Sequence, residues 1–422
     1  MPCIFTWAFL LQMKERELLP NLFRVEYRKI VSVLCSHFGI QHIEIAEDIV
    51  SDTFLSATEL WNTKGIPDNP AAWLYTVAKN KTRNHLKRDS VFEQKLVPQI
   101  QHTSSEIVST PEIDLSDQNI ADSQLAMIFT ICDPINSTEA QIALALNLLC
   151  GFGIQEIADA FFTNKEVIYK RINRAKQKLK EANIRIEQPS EIQIGSRLET
   201  VLTTLYLLFS EGYYSTSQNT TLRKDFCAEA MQLTFLLYEN KRTSIPAVSA
   251  LLSLMCFHTS RFDARVNLQG ELILYGDQDE SLWNHELIER GTYFLSKAST
   301  GEVLTKYHLE AGIAYWHTQK EDNTSKWENI LNLYDNLLLL EYSPIAALNR
   351  IYALAQVKGK REAIKEAEKL SLSDNHFFYS LMGNLYTGID QQKALNSFQT
   401  ALHLAKSLAD KAVIQKNIAK LL

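Results

Sequence analysis

Helix breakers are scarce in this chain: 14 glycines and 10 prolines among 422 residues leave long stretches uninterrupted and favour long helices. The six cysteines, Cys3, Cys35, Cys132, Cys150, Cys227 and Cys256, form no CxxC pair and have no histidine at metal-ligand spacing. That spacing argues against zinc and disulfides and for reduced thiols in a cytoplasmic protein. No apolar stretch approaches the roughly 18 residues of a membrane span. The apolar start, Cys3 to Leu11, has no basic region before it and runs into Lys14, Glu15 and Arg16, so it fits neither a secretory leader nor an anchor. Excess positive charge is also missing. With a formal net charge of −6, any nucleic-acid binding has to come from locally concentrated Lys and Arg.

What is present is ordinary soluble composition, 46% hydrophobic and 22% charged, in a chain long enough for two to four cores. The patterning predicts an all-α fold. After a leader at 1–17, apolar residues recur at helical spacing over 18–89, interrupted only by the loop Asn62 to Asn69 with Gly65 and Pro67. Residues 90–119 lose the periodicity and gather Ser, Thr, Gln and acidic residues around Pro98 and Pro111, as a linker does. There Asp89, Glu93, Glu106, Glu112, Asp114 and Asp117 outnumber Lys95, a charge balance suited to a basic channel. A second helical block covers 120–186, and helical patterning continues through 187–422. In that last block Ala347 to Leu370 and Leu381 to Leu402 each read as helix, turn, helix, aligning Ala363 with Ala394 at a period close to the roughly 34 residues of tetratricopeptide repeats.

Ser137 to Lys180 parses as three helices. Thr138 with Gln141 reads as a capping box opening the first, whose inward face carries Ile142, Ala145, Leu146 and Leu149. The second, Gln155 to Phe161, turns Ile157, Ala158 and Phe161 inward. Thr163 with Glu166 reads as a further capping box for the third. On that helix Val167, Ile168, Ile172, Ala175 and Leu179 form the inward stripe, leaving Lys165, Tyr169, Lys170, Asn173, Arg174, Lys176 and Gln177 outward. Such a face supplies donors and acceptors for base edges and cations for phosphates, as a helix-turn-helix in a major groove does. The bland alternative is a three-helix bundle with a solvated basic face.

In the first block, Ile43 to Trp61 buries Ile45, Ile49, Val50, Phe54, Ala57 and Trp61 and exposes Glu47, Asp48, Ser51, Asp52 and Leu55, an acidic stripe that suits a basic partner. Asn69 as N-cap and Pro70 at the first helical position open the next helix. It turns Trp73, Leu74, Val77, Ala78 and Leu86 inward and Lys79, Asn80, Lys81, Arg83, Asn84, Lys87 and Arg88 outward. With Lys64 and Asn69 of the preceding loop, that surface fits a melted nucleic-acid strand.

These segments, in this order, resemble regions 2 and 4 of the sigma-70 superfamily, specifically its extracytoplasmic-function group. AEDIVSDTFLSATELW is similar to region 2.2, which implies that Glu47, Asp48, Ser51, Asp52 and Leu55 meet the β′ clamp helices of RNA polymerase core. NPAAWLYTVAKNKTRNHLKR is similar to region 2.4, which implies −10 contacts. Ser137 to Lys180 is similar to region 4, which implies −35 reading and contact with the β flap. The likeness extends to a subgroup with a long helical C-terminal domain through LFSEGYYS at Leu208 to Ser215 and GELILYGDQDESLWN at Gly270 to Asn284. Asp133, Glu280 and Asn284 depart from that pattern, which has His, Arg and Asp there. The resemblance implies a non-enzymatic promoter-specificity factor with no cofactor and no metal, whose partners are core polymerase, promoter DNA and a protein or peptide ligand of the C-terminal domain. From the residues alone, a ligand-sensing helix-turn-helix regulator that binds its operator without polymerase stays open. His308 and His317 stand isolated on helical patterns and read as satisfied structural residues.

Overall fold

The computed structural model describes residues 15–96, 113–161, 163–213, 224–265, 273, 275–319, 321–406 and 408–421, and every secondary-structure element among them is helical. The leader's residues 1–14 and most of the acidic linker, 97–112, lie outside the described residues. The chain divides into two compact units, Met1–Leu205 and Tyr206–Leu422.

The first unit opens with α1 (Glu15–Phe38), a tight turn at Gly39 with φ of 77°, a short 3-10 turn Ile40–His42, and α2 (Ile43–Lys64). Along α2 the buried side chains Ile43, Ala46, Ile49, Val50, Thr53, Ala57 and Trp61 recur at three- and four-residue steps and form one stripe against α1; Ile45 is only half-buried. Phe23 meets Phe54 and Trp61 at ring separations of 5.0 and 5.7 Å, and Trp61 meets Trp73 of α3 (Pro70–Leu96) at 5.4 Å. Asn69 caps α3 as read from sequence, its Oδ1 accepting from the Ala72 amide at 3.0 Å.

Next come α4 (Asp117–Ile131), α5 (Thr138–Leu144) ending in a π turn Ala145–Leu149, α6 (Ile154–Ala160), α7 (Lys165–Glu181) and α8 (Glu191–Tyr213). Helix α4 is buried on all sides from Ser123 to Ile131, which only a helix packed by neighbours all round can sustain. Those neighbours include α1 and the π turn. The composition of residues 90–119 suggested two tethered blocks; here they share one core.

Both capping boxes expected in this block are replaced. Thr138 is already the first helical residue, preceded by Ser137. Gln141 turns inward, its Nε2 donating to the Asp133 and Asn136 carbonyls at 3.0 Å each, while its Oε1 accepts from the Thr204 hydroxyl at 2.7 Å. A buried amide satisfied by three tertiary partners outweighs one local cap. Likewise Asn164, not Thr163, precedes α7, and Glu166 is exposed. In α6, Glu156 accepts from the Gly153 amide at 2.8 Å, and Phe161 is half-buried. Asp133 holds an ion pair with Arg197 at 3.0 Å.

The second unit is built on α9 (Lys224–Glu239), α10 (Pro246–Thr259), α11 (His285–Ala298), α12 (Lys306–Trp316) and α13 (Thr324–Leu340), followed by α14 (Pro344–Lys358), α15 (Lys360–Ala367), α16 (His376–Tyr386), α17 (Gln391–Leu404) and α18 (Leu408–Leu421). Helix α10 is its central rod, buried from Ala247 through Phe257. Asn284 caps α11 by accepting from the Leu287 amide at 3.1 Å, a task Asn and Asp perform about equally. Gly359 and Gly388, with φ of 84° and 83°, make the turns between α14 and α15 and between α16 and α17. Ala363 and Ala394, aligned from sequence, are both fully buried.

Helix α11 approaches α10 through Gly291, whose carbonyl accepts from Ser253 Oγ at 2.8 Å. A Cβ there would meet Phe257 Cε1 at 2.7 Å, whereas one at Gly195 would meet nothing within 4 Å. Gly291→Ala is therefore expected to destabilise the protein by about 1 to 3 kcal/mol through overpacking, and Gly195→Ala to stabilise it by about 0.5 to 1 kcal/mol through helix propensity. Urea unfolding of the two variants beside the parent checks both signs.

Candidate nucleic-acid interface

Helix α7 carries two chemically different faces. Lys165, Tyr169, Lys170, Asn173, Arg174 and Gln177 are exposed, as the patterning predicts, with Tyr169 at 53%. Gln177 spends its Nε2 on Glu181 at 2.9 Å. Val167, expected in the core, is 41% exposed. It joins Lys170, Arg171, Arg174 and Lys178 around an open cleft of about 400 Å³ whose opposite wall is Asn136, Ser137 and Ala140. Arg171 and Lys178 were missed by the sequence reading. The signal was there, since positions 167, 171, 174 and 178 follow one another at helical steps on a single face.

Lys176 departs from the expectation most sharply. Predicted to face outward, it is 7% exposed, and its Nζ lies 2.8 and 2.7 Å from the two carboxylate oxygens of Glu47 on α2. One turn on, Lys180 Nζ lies 2.7 and 2.6 Å from the oxygens of Glu44. Gln41 Nε2 donates to the Lys180 carbonyl at 2.8 Å and to Asn183 Oδ1 at 3.1 Å. From the other side of the seam, Arg24 pairs with Glu156 at 2.7 Å and lies over the Phe152 ring at 4.2 Å. At Gly151 (φ of 70°) the chain passes so close that a Cβ would meet the Tyr27 ring at 3.3 Å. Partial burial, the largest single influence on Glu44, disfavours its ionisation, but the Lys180 hydrogen bond, a backbone hydrogen bond and the charges of Lys180 and Lys176 together hold the carboxyl below its ordinary value.

The acidic stripe on α2 is thereby split. Glu47, expected to face a partner protein, is committed to Lys176, while Asp48, Ser51, Asp52 and Leu55 remain exposed, Leu55 at 57%. Glu59 and Leu60 continue that open face toward the end of the helix. On α3, Asn80, Arg83, Asn84, Lys87 and Arg88 are exposed together, Arg83 donating to Asn80 Oδ1 at 2.9 Å; Lys79 and Lys81 are half-buried at its edges. Lys64, the last residue of α2, and Asn69, in the loop before α3, are both exposed, and Ile66 between them shows 53% of its surface. Asn69 offers only its amide nitrogen, because its oxygen caps the helix. No cluster of metal-ligating side chains occurs among the described residues.

Residues 22–91, which take in α2 and most of α1 and α3, match the family model of Sigma-70 region 2, and this supports reading the chain as a sigma-70 family member. Residues 197–299 match a family of unknown function (DUF6596). Over 386 residues, 90% of either chain, the sequence is 29% identical to an uncharacterized protein of Rhizobium meliloti (strain 1021). No solved structure matches it. No helix among the described residues is long and apolar enough to cross a membrane.

The Lys176–Glu47 pair, with side chains only 9% and 19% exposed, couples the region 2 helices to α7. In a double-mutant cycle of Glu47→Ala and Lys176→Ala read by urea unfolding, a coupling of about 1 to 3 kcal/mol is expected; additive losses would leave the seam without this pair as its anchor.

Proposed function

We propose that the chain is an extracytoplasmic-function sigma factor that directs promoter-specific initiation by bacterial RNA polymerase, without covalent chemistry of its own. The observation that carries the reading is the Sigma-70 region 2 match over α1 to α3 combined with two separate cationic surfaces on a chain of net charge −6. In this reading Asp48, Ser51, Asp52 and Leu55 of α2 dock on the β′ clamp helices. The α3 surface, Asn80, Arg83, Asn84, Lys87 and Arg88 with Lys64 and Asn69, takes melted −10 DNA. Lys170, Arg171, Arg174 and Lys178, with Lys165, Tyr169, Asn173 and Gln177, meet the −35 duplex, and the block bearing them meets the β flap. The second unit, whose α14 to α17 resemble tetratricopeptide pairs, serves as an attached regulatory module for a protein or peptide ligand.

Geometry adds an ordering to this mechanism. Elements named −10 and −35 are about 25 base pairs apart, or roughly 85 Å along B-DNA at about 3.4 Å per pair. A compact unit of about 200 residues has a radius of gyration near 16 Å and is roughly 40 Å across. With Lys176 on Glu47 at 2.7 Å, α7 is held too close to the block of α2 and α3 for α3 and α7 to reach both elements at once. The described arrangement is then the closed form, and engagement of core polymerase and promoter separates Lys176 from Glu47. Each residue thereby exchanges its intramolecular partner for an intermolecular one, the carboxylate for the clamp and the ammonium for phosphate. The cost of leaving either charge buried and alone is avoided.

The test is transcription and binding with purified core polymerase. Asp52→Lys is expected to abolish polymerase binding while leaving weak binding to duplex −35 DNA unchanged. Arg174→Ala is expected to weaken promoter binding by about 1 to 3 kcal/mol if it reaches a base edge and by less if it meets only phosphate. Equal defects of Asp52→Lys in both assays, or tight operator binding by the full chain without polymerase, would favour a polymerase-independent regulator instead.

A further inference from the structure

The sequence motif Gly270 to Asn284 is given no part in the proposed promoter binding, yet three of its residues, the half-buried Tyr275 and Gln278 and the buried Trp283, stand in a polar cluster within the second unit. Two cations converge on Tyr275. Arg261 is 7% exposed with its guanidinium 5.5 Å from the Tyr275 ring, and Lys326 is 2% exposed with Nζ 3.1 Å from the Tyr275 hydroxyl and 2.9 Å from the Gln319 carbonyl. The Tyr275 hydroxyl in turn donates to the His317 carbonyl at 3.0 Å. His317 stands edge-on to Tyr275 at 4.8 Å, and Trp283 lies alongside it at 6.5 Å.

Neither cation has a carboxylate within ion-pair distance among the described residues. Asp322, four residues before Lys326, accepts instead from Trp327 Nε1 at 2.5 Å, and Asp263, two residues after Arg261, pairs with Lys224 at 2.5 Å. Around the same ring, four buried polar atoms have no hydrogen-bond partner among the described residues: Arg261 Nε, Trp283 Nε1, His317 Nδ1 and Gln278 Oε1. His317, read from sequence as a satisfied structural residue, has its Nδ1 unpartnered among the described residues. Burial, then the charges of Arg261 and Lys326, push its pKa down to about 3, so it adds a neutral ring and no charge.

Two buried like charges with no counter-charge among the described residues, together with three orphaned nitrogens, are a costly arrangement, because desolvating an unpaired ion is expensive. An oxyanion in their midst removes that cost, because a guanidinium fork and an ammonium both bond strongly to carboxylate or phosphate oxygens. We infer that Arg261, Lys326, Tyr275 and Trp283 form a binding site for a small oxyanion, a carboxylate or phosphate compound, inside the second unit. Near-complete enclosure of Arg261, Lys326 and Trp283, each under a tenth exposed, selects a small molecule over the surface of a folded partner. The aromatic faces of Tyr275, Trp283 and Trp327 suit a flat or short carbon skeleton behind the anionic group.

The test uses the full chain and three probes, sodium phosphate, sodium succinate and sodium chloride at matched ionic strength, followed by tryptophan fluorescence and thermal unfolding. A saturable fluorescence change and a rise in Tm with phosphate, succinate or both, absent with chloride, is expected, and the preferred probe tells phosphate from carboxylate ligands. Arg261→Gln and Lys326→Gln should each weaken that response roughly tenfold or more, whereas Lys369→Gln, on an exposed side chain, should leave it unchanged. If neither oxyanion exceeds chloride with the parent chain, the inference is overturned, and this reading does not require the variants to fold. Polymerase and promoter are absent from the experiment, so its outcome is separate from that of the initiation assay.

Discussion

The ammonium of Lys176 against the carboxylate of Glu47 is the contact on which the arrangement of the first unit turns. Each side chain is mostly removed from water, so neither can lose the other without a new partner. Lys180 with Glu44 and Arg24 with Glu156 repeat the pattern nearer the surface, where screening leaves them worth less. The apolar contacts of the seam, Phe152 under Arg24 and Gly151 against Tyr27, set the distance at which these pairs form. Packing thus fixes how close the region 2 helices and α7 come, and charge fixes which side of α7 is turned inward.

That division explains what was legible in the sequence. Fold class, the α2 positions Ile49, Val50, Ala57 and Trp61, the Asn69 cap and the inward positions Ile168, Ile172, Ala175 and Leu179 all follow from periodicity and local chemistry, and the structure has them, whereas Ile45 and Phe54 of the expected α2 stripe are only half-buried. Lys176 did not follow. A lysine on a basic helix reads as solvated unless its carboxylate is known, and Glu47 lies 129 residues away in the chain. The misread cap at Thr138 has a similar cause. A local pair such as Thr138 with Gln141 carries no information about Thr204, and it is Thr204 that draws Gln141 inward. Arg171 and Lys178 were hidden for the opposite reason, because the stripe was drawn through Val167 when that residue borders the open cleft.

The second unit shows the same limits of one-dimensional reading. Its last helix pairs, α14 with α15 and α16 with α17, were visible as helix, turn, helix, with Ala363 and Ala394 buried in them. The gathering of Arg261, Tyr275, Lys326 and His317 was not, since these come from four separate segments and only Tyr275 lies within a motif. Of the departures from the resembled pattern, Asn284 does the capping work an aspartate would, and Asp133 answers Arg197, so neither disturbs its surroundings.

The central claim is that the seam at Glu47 and Lys176 is closed in the free protein and opens when the chain acts on a promoter. A distance between labels at Ser51→Cys on α2 and Gln177→Cys on α7, both exposed, measured by energy transfer or pulsed electron resonance, tests this most directly. The account predicts a short separation in the free chain that lengthens to several tens of ångströms with core polymerase and promoter DNA. An unchanged short separation in complexes that start RNA synthesis would contradict it.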